Sequence, residues 1–387
     1  MPEAVIVDAV RTPIGRAFKG SLAQVRPDEM GAFVVDRLLE ANPGVDPALV
    51  EEVITGCGMP QGKQAFNVGR IIALLSQRLP LEVSGSTISR YCASGLEAIR
   101  IASNNVKAGQ GEVYIAAGIE FVSQFNERSE AAGAADQNEH LRGQNEGEPD
   151  VYVQMGDTAV NVAKRYDVKR ADMDAYAQRS QELAVQSQES GFFDREIAPV
   201  TLPDGTVVDK DDGPRASSTL EKLASLPEAF EGGGGVTAGN SCPLNDGAAA
   251  ALIMSAAKAG ELGLKPRARI VTAATAANEP EYMGVAPIRA IRKVLDRAGM
   301  TIADVDIVEL NEAFAAQVIP IMAECDIGLE KMNPHGGAIA LGHPFGMTGV
   351  RIMTTLLNGL EADDKTVGLE TMCVAGGQAE AMIVERL

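Results

Sequence analysis

Short apolar runs and amphipathic stretches take turns along most of the chain. The opening EAVIVDAV (3–10) predicts a buried strand. It is followed by the loop Arg11-Thr12-Pro13-Ile14-Gly15, then by an amphipathic helix over 27–40 that stops near Asn42-Pro43-Gly44. The same alternation continues with VEEVITG as strand, NVGRIIALLSQ as helix, VSGSTIS as strand, GLEAIRIASNNVKAG as helix and EVYIAAG as strand. Strands alternating with helices point to an α/β fold with helices covering a sheet.

Between about 121 and 239 the texture changes. Polar, Gln/Glu/Asn-rich sequence through Asp150 leads into helical patterns at 158–166 and 171–190, the latter stopped by Gly191. This reads as an inserted, mostly helical unit, and the glycines at 232–235 mark its far boundary as a turn or a ligand-contacting loop. The α/β texture then returns with RARIVTAATA, APIRAIRKVLDRAG, DVDIVEL, NEAFAAQVIPIMAE, a Gly-rich turn, a helix over 350–360, and closing strands at TVGLETMCV and AEAMIVERL. The second half thus repeats the element order of the first. Each half carries a special turn into a helix: Arg90-Tyr91-Cys92-Ala93-Ser94-Gly95 in one and Ala340-Leu341-Gly342-His343-Pro344-Phe345-Gly346 in the other. A duplication would bring the two turns together.

With 387 residues the chain is long enough for two or three domains, since a single core rarely organises more than ~250–300. The 34 basic against 53 acidic residues give a net charge of −19, which argues against nucleic acid or an anionic membrane as partner. A phosphate-bearing ligand must then meet a local basic patch. The absence of any apolar run of ~18 residues, and of a charged-then-apolar leader, predicts a soluble, cytoplasmic protein. The five cysteines (57, 92, 242, 325, 373) are widely spaced and form no CxxC, so neither a disulfide framework nor a zinc site is expected, and no metal is assigned.

Cys92, between a strand and a helix, could be a buried small residue or a nucleophile; as a nucleophile, free N–H groups at the helix start would lower its pKa below ~8.5. His343 sits among glycines and a proline, where an imidazole could serve as a base beside a thiol or be purely structural. His335 could line the same site, whereas His140 reads as surface. Cys373 precedes Val374-Ala375-Gly376-Gly377, a tight turn where a second thiol could act as acid/base or simply pack. Asn311, opening NEAF, could be a helix N-cap or could hold a water in an oxyanion hole.

Taken in order, VRTPIG (10–15), RYCASGLEAI (90–99), AAGIEFVS (116–123), MGDTAVNVA (155–163), TAGNSCPLNDGAAA (237–250), NEAFA (311–315), GGAIALGHPFGMTG (336–349) and CVAGG (373–377) resemble the thiolase superfamily over essentially the whole chain. The resemblance implies two βαβαβαββ halves in a five-layer αβαβα core. It divides the chain into 1–120 plus 241–268 as the first half, 121–240 as a loop domain covering coenzyme A, and 269–387 as the second half. It implies Cys92 as the acyl-accepting nucleophile, His343 as its activator and Cys373 as the acid/base for the α-carbon. Asn311, through a water, and His343 would form one oxyanion hole, and the backbone N–H groups of Cys92 and Ala375 the other. Arg215 would meet coenzyme A phosphate, and Met155, Phe230, Ala238, Cys242 and Met283 would line the pantetheine tunnel.

The resemblance further implies an acyl-CoA C-acyltransferase with coenzyme A as substrate, no permanently bound cofactor, and a homodimer or homotetramer, placed in fatty-acid β-oxidation or acetoacetyl-CoA metabolism. Departures from the commonest pattern are Ser89, Gln154, Cys242, Ala375 and Ala379; were position 379 to need a positive φ, alanine there would cost about 1 kcal/mol. A ketoacyl-synthase-like condensing enzyme would carry a second His or Asn where this chain has Cys373. A non-catalytic acyl-CoA carrier would lack Cys92 or His343.

Overall fold

The computed structural model describes residues 2–125, 136–145 and 147–387. The first half runs β1 (Ala4–Arg11), β2 (Gly15–Arg16), α1 (Pro27–Ala41), β3 (Glu52–Cys57), α2 (Val68–Leu75), β4 (Ser84–Ile88), α3 (Ser94–Ala108) and β5 (Val113–Phe121). The inserted stretch carries α4 (Met155–Arg165), α5 (Arg170–Glu189), the two-stranded β6 (Val200–Thr201) and β7 (Val207–Val208), and α6 (Leu220–Ala224). β8 (Asn245–Ser255) returns to the first half, and α7 (Ala256–Glu261) leads out of it. The second half runs β9 (Ala268–Ala277), α8 (Ala286–Ala298), β10 (Ile307–Leu310), α9 (Ala315–Cys325), α10 (Ala338–Leu341), α11 (Phe345–Ala362), β11 (Val367–Val374) and β12 (Gln378–Arg386). The expected polar stretch through Asp150 lies partly outside the described residues.

The strands order as β4-β3-β5-β8-β1 and β9-β12-β11-β10, joined where Val5 and Ile6 of β1 pair with Arg269 and Ala268 of β9. The two orders match strand for strand when the chain is read as a repeat. One element departs from it: the second half's counterpart of β4 is reduced to a single bridge between Val308 and Met332.

Strand periodicity sorts side chains into layers. Along β8, Ala249, Ala251 and Ile253 face a central core with α3 and α11, while Ala248, Ala250, Leu252 and Met254 face an outer core with α1 and α2. Along β12, Met382 and Val384 join the central core, and Ala379, Ala381 and Ile383 an outer one with α8 and α9. Helices, sheet, helices, sheet, helices make the five layers.

The central helices cross where their first turns meet. A Cβ on Gly95 would lie 2.7 Å from the Gly346 carbonyl oxygen, and one on Gly349 would lie 2.1 Å from the Leu96 nitrogen. Only hydrogen fits at both crossings, so the glycines bring the Cys92 turn and the His343 turn together, as the repeat predicts.

Two local expectations need correction. Asn311 is not an N-cap, because α9 starts at Ala315 with Phe314 in the capping position. Ala379 is an ordinary strand residue opposite Cys373, and positive φ falls instead on Gly376 (78°) and Gly377 (74°). The alanine at 379 is therefore unstrained.

Candidate active site

Cys92 lies in a single 3-10 turn, Tyr91–Ala93, directly before α3. The turn is closed by Ser94, whose Oγ accepts the Arg90 N–H at 2.9 Å and donates to the Tyr91 carbonyl at 2.6 Å. Tyr91 has a φ of 44°, rare for a non-glycine residue, and such conformations persist only where the surroundings hold them. Behind the turn, Ser89 Oγ donates to the Gly58 carbonyl at 3.0 Å, which gives this departure from the usual residue a structural use.

The Cys92 thiol is pushed well up from its usual pKa, contrary to the expectation from a helix start. Burial is the first cause, followed by Cys373, Cys242 and the Glu120 carboxylate; a hydrogen bond from the Ala375 backbone opposes them. Desolvation outweighs the helix dipole here. Cys242, Cys373 and the Ala375 N–H are thus all close enough to Cys92 to act on its thiol.

His343 is buried and held at three atoms. Its backbone N–H donates to Asn245 Oδ1 at 3.0 Å, Nδ1 lies 2.7 Å from Thr348 Oγ1, and Nε2 lies 3.2 Å from Asn311 Nδ2. Thr348 Oγ1 donates its one proton to the Pro344 carbonyl at 2.7 Å. The network therefore sets the tautomer: Nδ1–H donates to Thr348, and Nε2 offers its lone pair toward Asn311. Burial, and then the charge of Arg351, push the His343 pKa down to about 3, so the ring is neutral at physiological pH. Among the described residues, Asn311 Oδ1 is buried without a hydrogen-bond partner.

Cys373 is buried near the end of β11. Gln317 Nε2 donates to its sulfur at 3.2 Å, and burial pushes its pKa up to about 11 against that hydrogen bond. Cys242 is half-buried, its N–H donating to the Ala313 carbonyl at 2.9 Å; burial and then Cys373 push its thiol up to about 12.

Arg215 and Ala238 line a cleft of about 280 Å³ together with Ser217, Lys222 and Leu226, on the side of the inserted helices. Among the described residues Arg215 makes no ion pair, and Arg16 lies near enough to oppose its charge. Phe230 packs edge-on against Phe314 with centroids 6.2 Å apart, and its ring excludes any side chain at Gly156. Met155 and Phe230 are half-buried around the apolar cluster that holds Cys373, and Met283 is fully inside it. The six expected coenzyme A residues thus divide between an open cleft and the packed wall behind it. His335 is elsewhere, stacked on Phe192 at 3.7 Å with Asp363 3.4 Å from its Nε2, and His140 is exposed beside Glu148.

Four residues of the site were not singled out by sequence: Gln317, Thr348, Asn245 and Glu120. The Glu120 carboxylate is buried and accepts the Gly58 N–H at 2.7 Å, the Gly346 N–H at 2.9 Å, the Met59 N–H at 3.4 Å and the Gln64 amide. It joins the loop after β3 to the start of α11. Burial pushes its pKa up to about 7. A charged residue inside the apolar run AAGIEFVS is the signal that could have marked it.

Clustered thiols, a backbone donor and the packed-on turn that carries a neutral imidazole, with Arg215 in a cleft of its own, are groups that acyl transfer from a coenzyme A thioester would use. Residues 4–257 match the family described as thiolase, N-terminal domain, and 264–386 match thiolase, C-terminal domain. A β-ketoadipyl-CoA thiolase of Acinetobacter baylyi is 42% identical over 405 residues, covering 100% of both chains. A 3-ketoacyl-CoA thiolase of a Marinomonas species is 41% identical over 395, covering 100% of this chain and 98% of that one. The crystal structure of the Bacillus anthracis acetyl-CoA acetyltransferase superposes with a TM-score of 0.91 at 38% identity, covering 100% of this chain and 99% of that one. The chain belongs to the thiolase family and is an acyltransferase that takes coenzyme A thioesters as substrates. Among the described residues no helix is long and apolar enough to cross a membrane.

Proposed function

We propose that the chain thiolyses a 3-oxoacyl-CoA through an acyl thioester on Cys92. The observation that carries this is the convergence of Cys92 with the Ala375 N–H, Cys373 and the His343 turn. In the resting site Cys92 is a thiol and His343 a neutral base, so proton transfer to Nε2 accompanies attack on the 3-oxo carbon rather than preceding it. The carbon–carbon bond between C2 and C3 breaks, its electron pair goes to C2, and the Cys373 thiol delivers a proton there to give acetyl-CoA. Coenzyme A, losing its proton to Cys373, then attacks the Cys92 thioester; the bond between the acyl carbon and the Cys92 sulfur breaks, His343 returns its proton to that sulfur, and the shortened acyl-CoA leaves. Negative charge on the acyl oxygen is met by the Cys92 and Ala375 N–H groups in the thioester steps. His343, with a water held by Asn311, meets the enolate oxygen.

The relatives' names favour a short carboxylated acyl chain over the fatty-acid β-oxidation or acetoacetyl-CoA metabolism expected at first: several are β-ketoadipyl-CoA thiolases at 41–44% identity, and an Escherichia coli relative at 42% is named a 3-oxoadipyl-CoA/3-oxo-5,6-dehydrosuberyl-CoA thiolase. Thiolysis of 3-oxoadipyl-CoA yields succinyl-CoA and acetyl-CoA. Coenzyme A lies in the cleft with its phosphates toward Arg215 and Lys222, beneath the 121–240 insert. The edge of β4, unpaired among the described residues and with Phe66, Leu74, Leu81 and Tyr91 exposed nearby, supports assembly with a second copy.

The experiment has two readouts. Thiolysis rates are measured across acetoacetyl-CoA, 3-oxohexanoyl-CoA, 3-oxodecanoyl-CoA and 3-oxoadipyl-CoA, and the acylated peptide is found by mass spectrometry. The acyl group on Cys92 and the highest kcat/KM on 3-oxoadipyl-CoA are expected. Acylation of Cys373 or Cys242 overturns the nucleophile, and a preference for 3-oxodecanoyl-CoA returns the chain to fatty-acid substrates.

A further inference from the structure

Arg90 stands two residues before Cys92, and its side chain reaches from the first half of the molecule into the second. Its guanidinium Nη1 donates to Gln378 Oε1 at 3.2 Å, and Nε lies 3.8 Å from Glu380 Oε2. Gln378 and Glu380 flank Ala379, the residue paired with Cys373 across the β11/β12 hairpin. On the near side Nε lies 3.3 Å from Glu97 Oε2, and Glu97 is on α3, the helix that Cys92 precedes. One guanidinium therefore bridges the nucleophile's helix and the strand opposite the second thiol.

A second guanidinium serves as an internal comparison. Arg100, also on α3, donates through Nε to Glu97 at 2.7 Å and lies 3.3 Å from Glu380 Oε1. It shares both carboxylates with Arg90 but has no bond to Gln378, and it is eight residues from the thiol where Arg90 is two. The pair of arginines thus separates holding the halves together from holding the Cys92 turn.

The turn needs holding. Tyr91, between Arg90 and Cys92, has a positive φ, and Ser94 fixes the turn only to its own helix. The reach of the thiol toward the Ala375 N–H, which comes from the other half, depends on where the turn sits relative to the hairpin. Arg90 adjoins the turn and reaches the hairpin strand through Gln378, a contact Arg100 does not make.

We propose that Arg90 is a positioning residue for acyl transfer, fixing the Cys92 turn against the hairpin that carries Cys373 and Ala375. The proposal rests on the reading of Cys92 as nucleophile. A guanidinium is suited to it, because its planar fork reaches two acceptors at once where an ammonium cannot. Displacement of the thiol by even ~1 Å can cost about 10² in rate without disturbing a remote ligand cleft.

The test compares Arg90→Met, Arg90→Lys and Arg100→Met for kcat, KM for coenzyme A and melting temperature, with acyl labelling of Cys92 followed in each. Arg90→Met should lower kcat about 10- to 100-fold with KM within about threefold. Arg90→Lys should lower kcat about tenfold while melting near the parent, and it carries the test if the methionine variant does not fold. Arg100→Met should lower the melting temperature at least as much as Arg90→Met while kcat stays within about threefold. Equal kcat losses in Arg90→Met and Arg100→Met, or a parental kcat in Arg90→Lys, overturn the positioning role while the parent's label stays on Cys92. A label on another cysteine in the parent enzyme overturns the nucleophile itself, and the proposal with it.

Discussion

The side-chain amide of Gln317 points at the sulfur of Cys373, Nε2 to Sγ at 3.2 Å, from a helix whose other contacts are almost wholly apolar. The same amide lies 3.3 Å from the Asn311 carbonyl, so one side chain touches both the second thiol and the backbone of the residue facing His343. A donor aimed at sulfur favours the thiolate, the form that Cys373 takes in the proposed thiolysis after protonating C2 and before coenzyme A gives up its proton.

Replacing Gln317 with leucine should raise the Cys373 pKa further above about 11, because burial would then act without the opposing hydrogen bond. A hydrogen bond worth ~1 kcal/mol corresponds to a loss of about fivefold in thiolysis. The pH dependence of alkylation at Cys373, read by peptide mass spectrometry, should move to higher pH. A profile unchanged from the parent would show that Gln317 only packs.

Glu120 should make stability depend on pH in an unusual direction for a carboxylate. Its folded pKa of about 7 is raised from the ordinary 4.5, so the folded state binds the proton more tightly than the unfolded one. That stability is fully present below the unfolded pKa and is lost as pH rises through about 7. Between pH 8 and pH 5.5 the parent should gain about 2 kcal/mol more than Glu120→Gln, with all other groups common to both. Urea unfolding at the two pH values measures it; equal gains would place the Glu120 pKa in the ordinary range.

Arg215 is expected to act on binding and not on chemistry. It lies in the cleft, free of any ion pair among the described residues, in a chain of net charge −19. A guanidinium on an exposed phosphate is strengthened by charge but screened by solvent. Arg215→Ala should raise KM for coenzyme A about three- to tenfold at moderate salt while leaving kcat unchanged. An unaltered KM would move the phosphate to Lys222 or elsewhere in the cleft.

Strand and helix periodicity made most of the fold legible, and the two breaker-rich turns announced both Cys92 and His343. β8 escaped the pattern because its Ala248–Ala251 run carries neither β-branched residues nor alternation; every residue of that strand is buried, on both faces of a sheet covered by helices. The short bridge at Met332 was invisible for the converse reason, since nothing in the sequence marks a strand that has shrunk to one pair. At the site, sequence reading singled out Cys92, His343, Cys373 and Asn311 but not Thr348 and Gln317, whose side chains hold two of them. Thr348 and Gln317 act through a hydroxyl and an amide on helices, where residue type and spacing resemble any solvated or capping position. The direction of the Cys92 pKa was misjudged for a related reason: a helix start is visible in sequence, whereas the two other thiols and the buried carboxylate come from remote segments.

Cys373 should be needed for carbon–carbon chemistry and not for loading Cys92. Acetyl transfer from acetyl-CoA to Cys92 requires only a base at His343 Nε2 and donors for the acyl oxygen, one of which is the Ala375 N–H, a backbone group that a side-chain change at 373 leaves in place. Breaking or making the C2–C3 bond requires in addition a proton delivered to or taken from C2, the part proposed for Cys373. Cys373→Ala should therefore accept an acetyl label on Cys92 at a measurable rate, while thiolysis and condensation both fall by at least ~10², the low end for a lost general acid/base. Because the thiol is fully buried, the substitution also leaves a small void, and a lowered melting temperature is expected from packing alone. Activity is accordingly compared per folded molecule, with Cys373→Ser as the better-packed partner. A folded alanine variant that thiolyses at near the parental rate would show that Cys373 only packs the hairpin, and would return the chain to the condensing-enzyme reading in which another side chain handles the α-carbon.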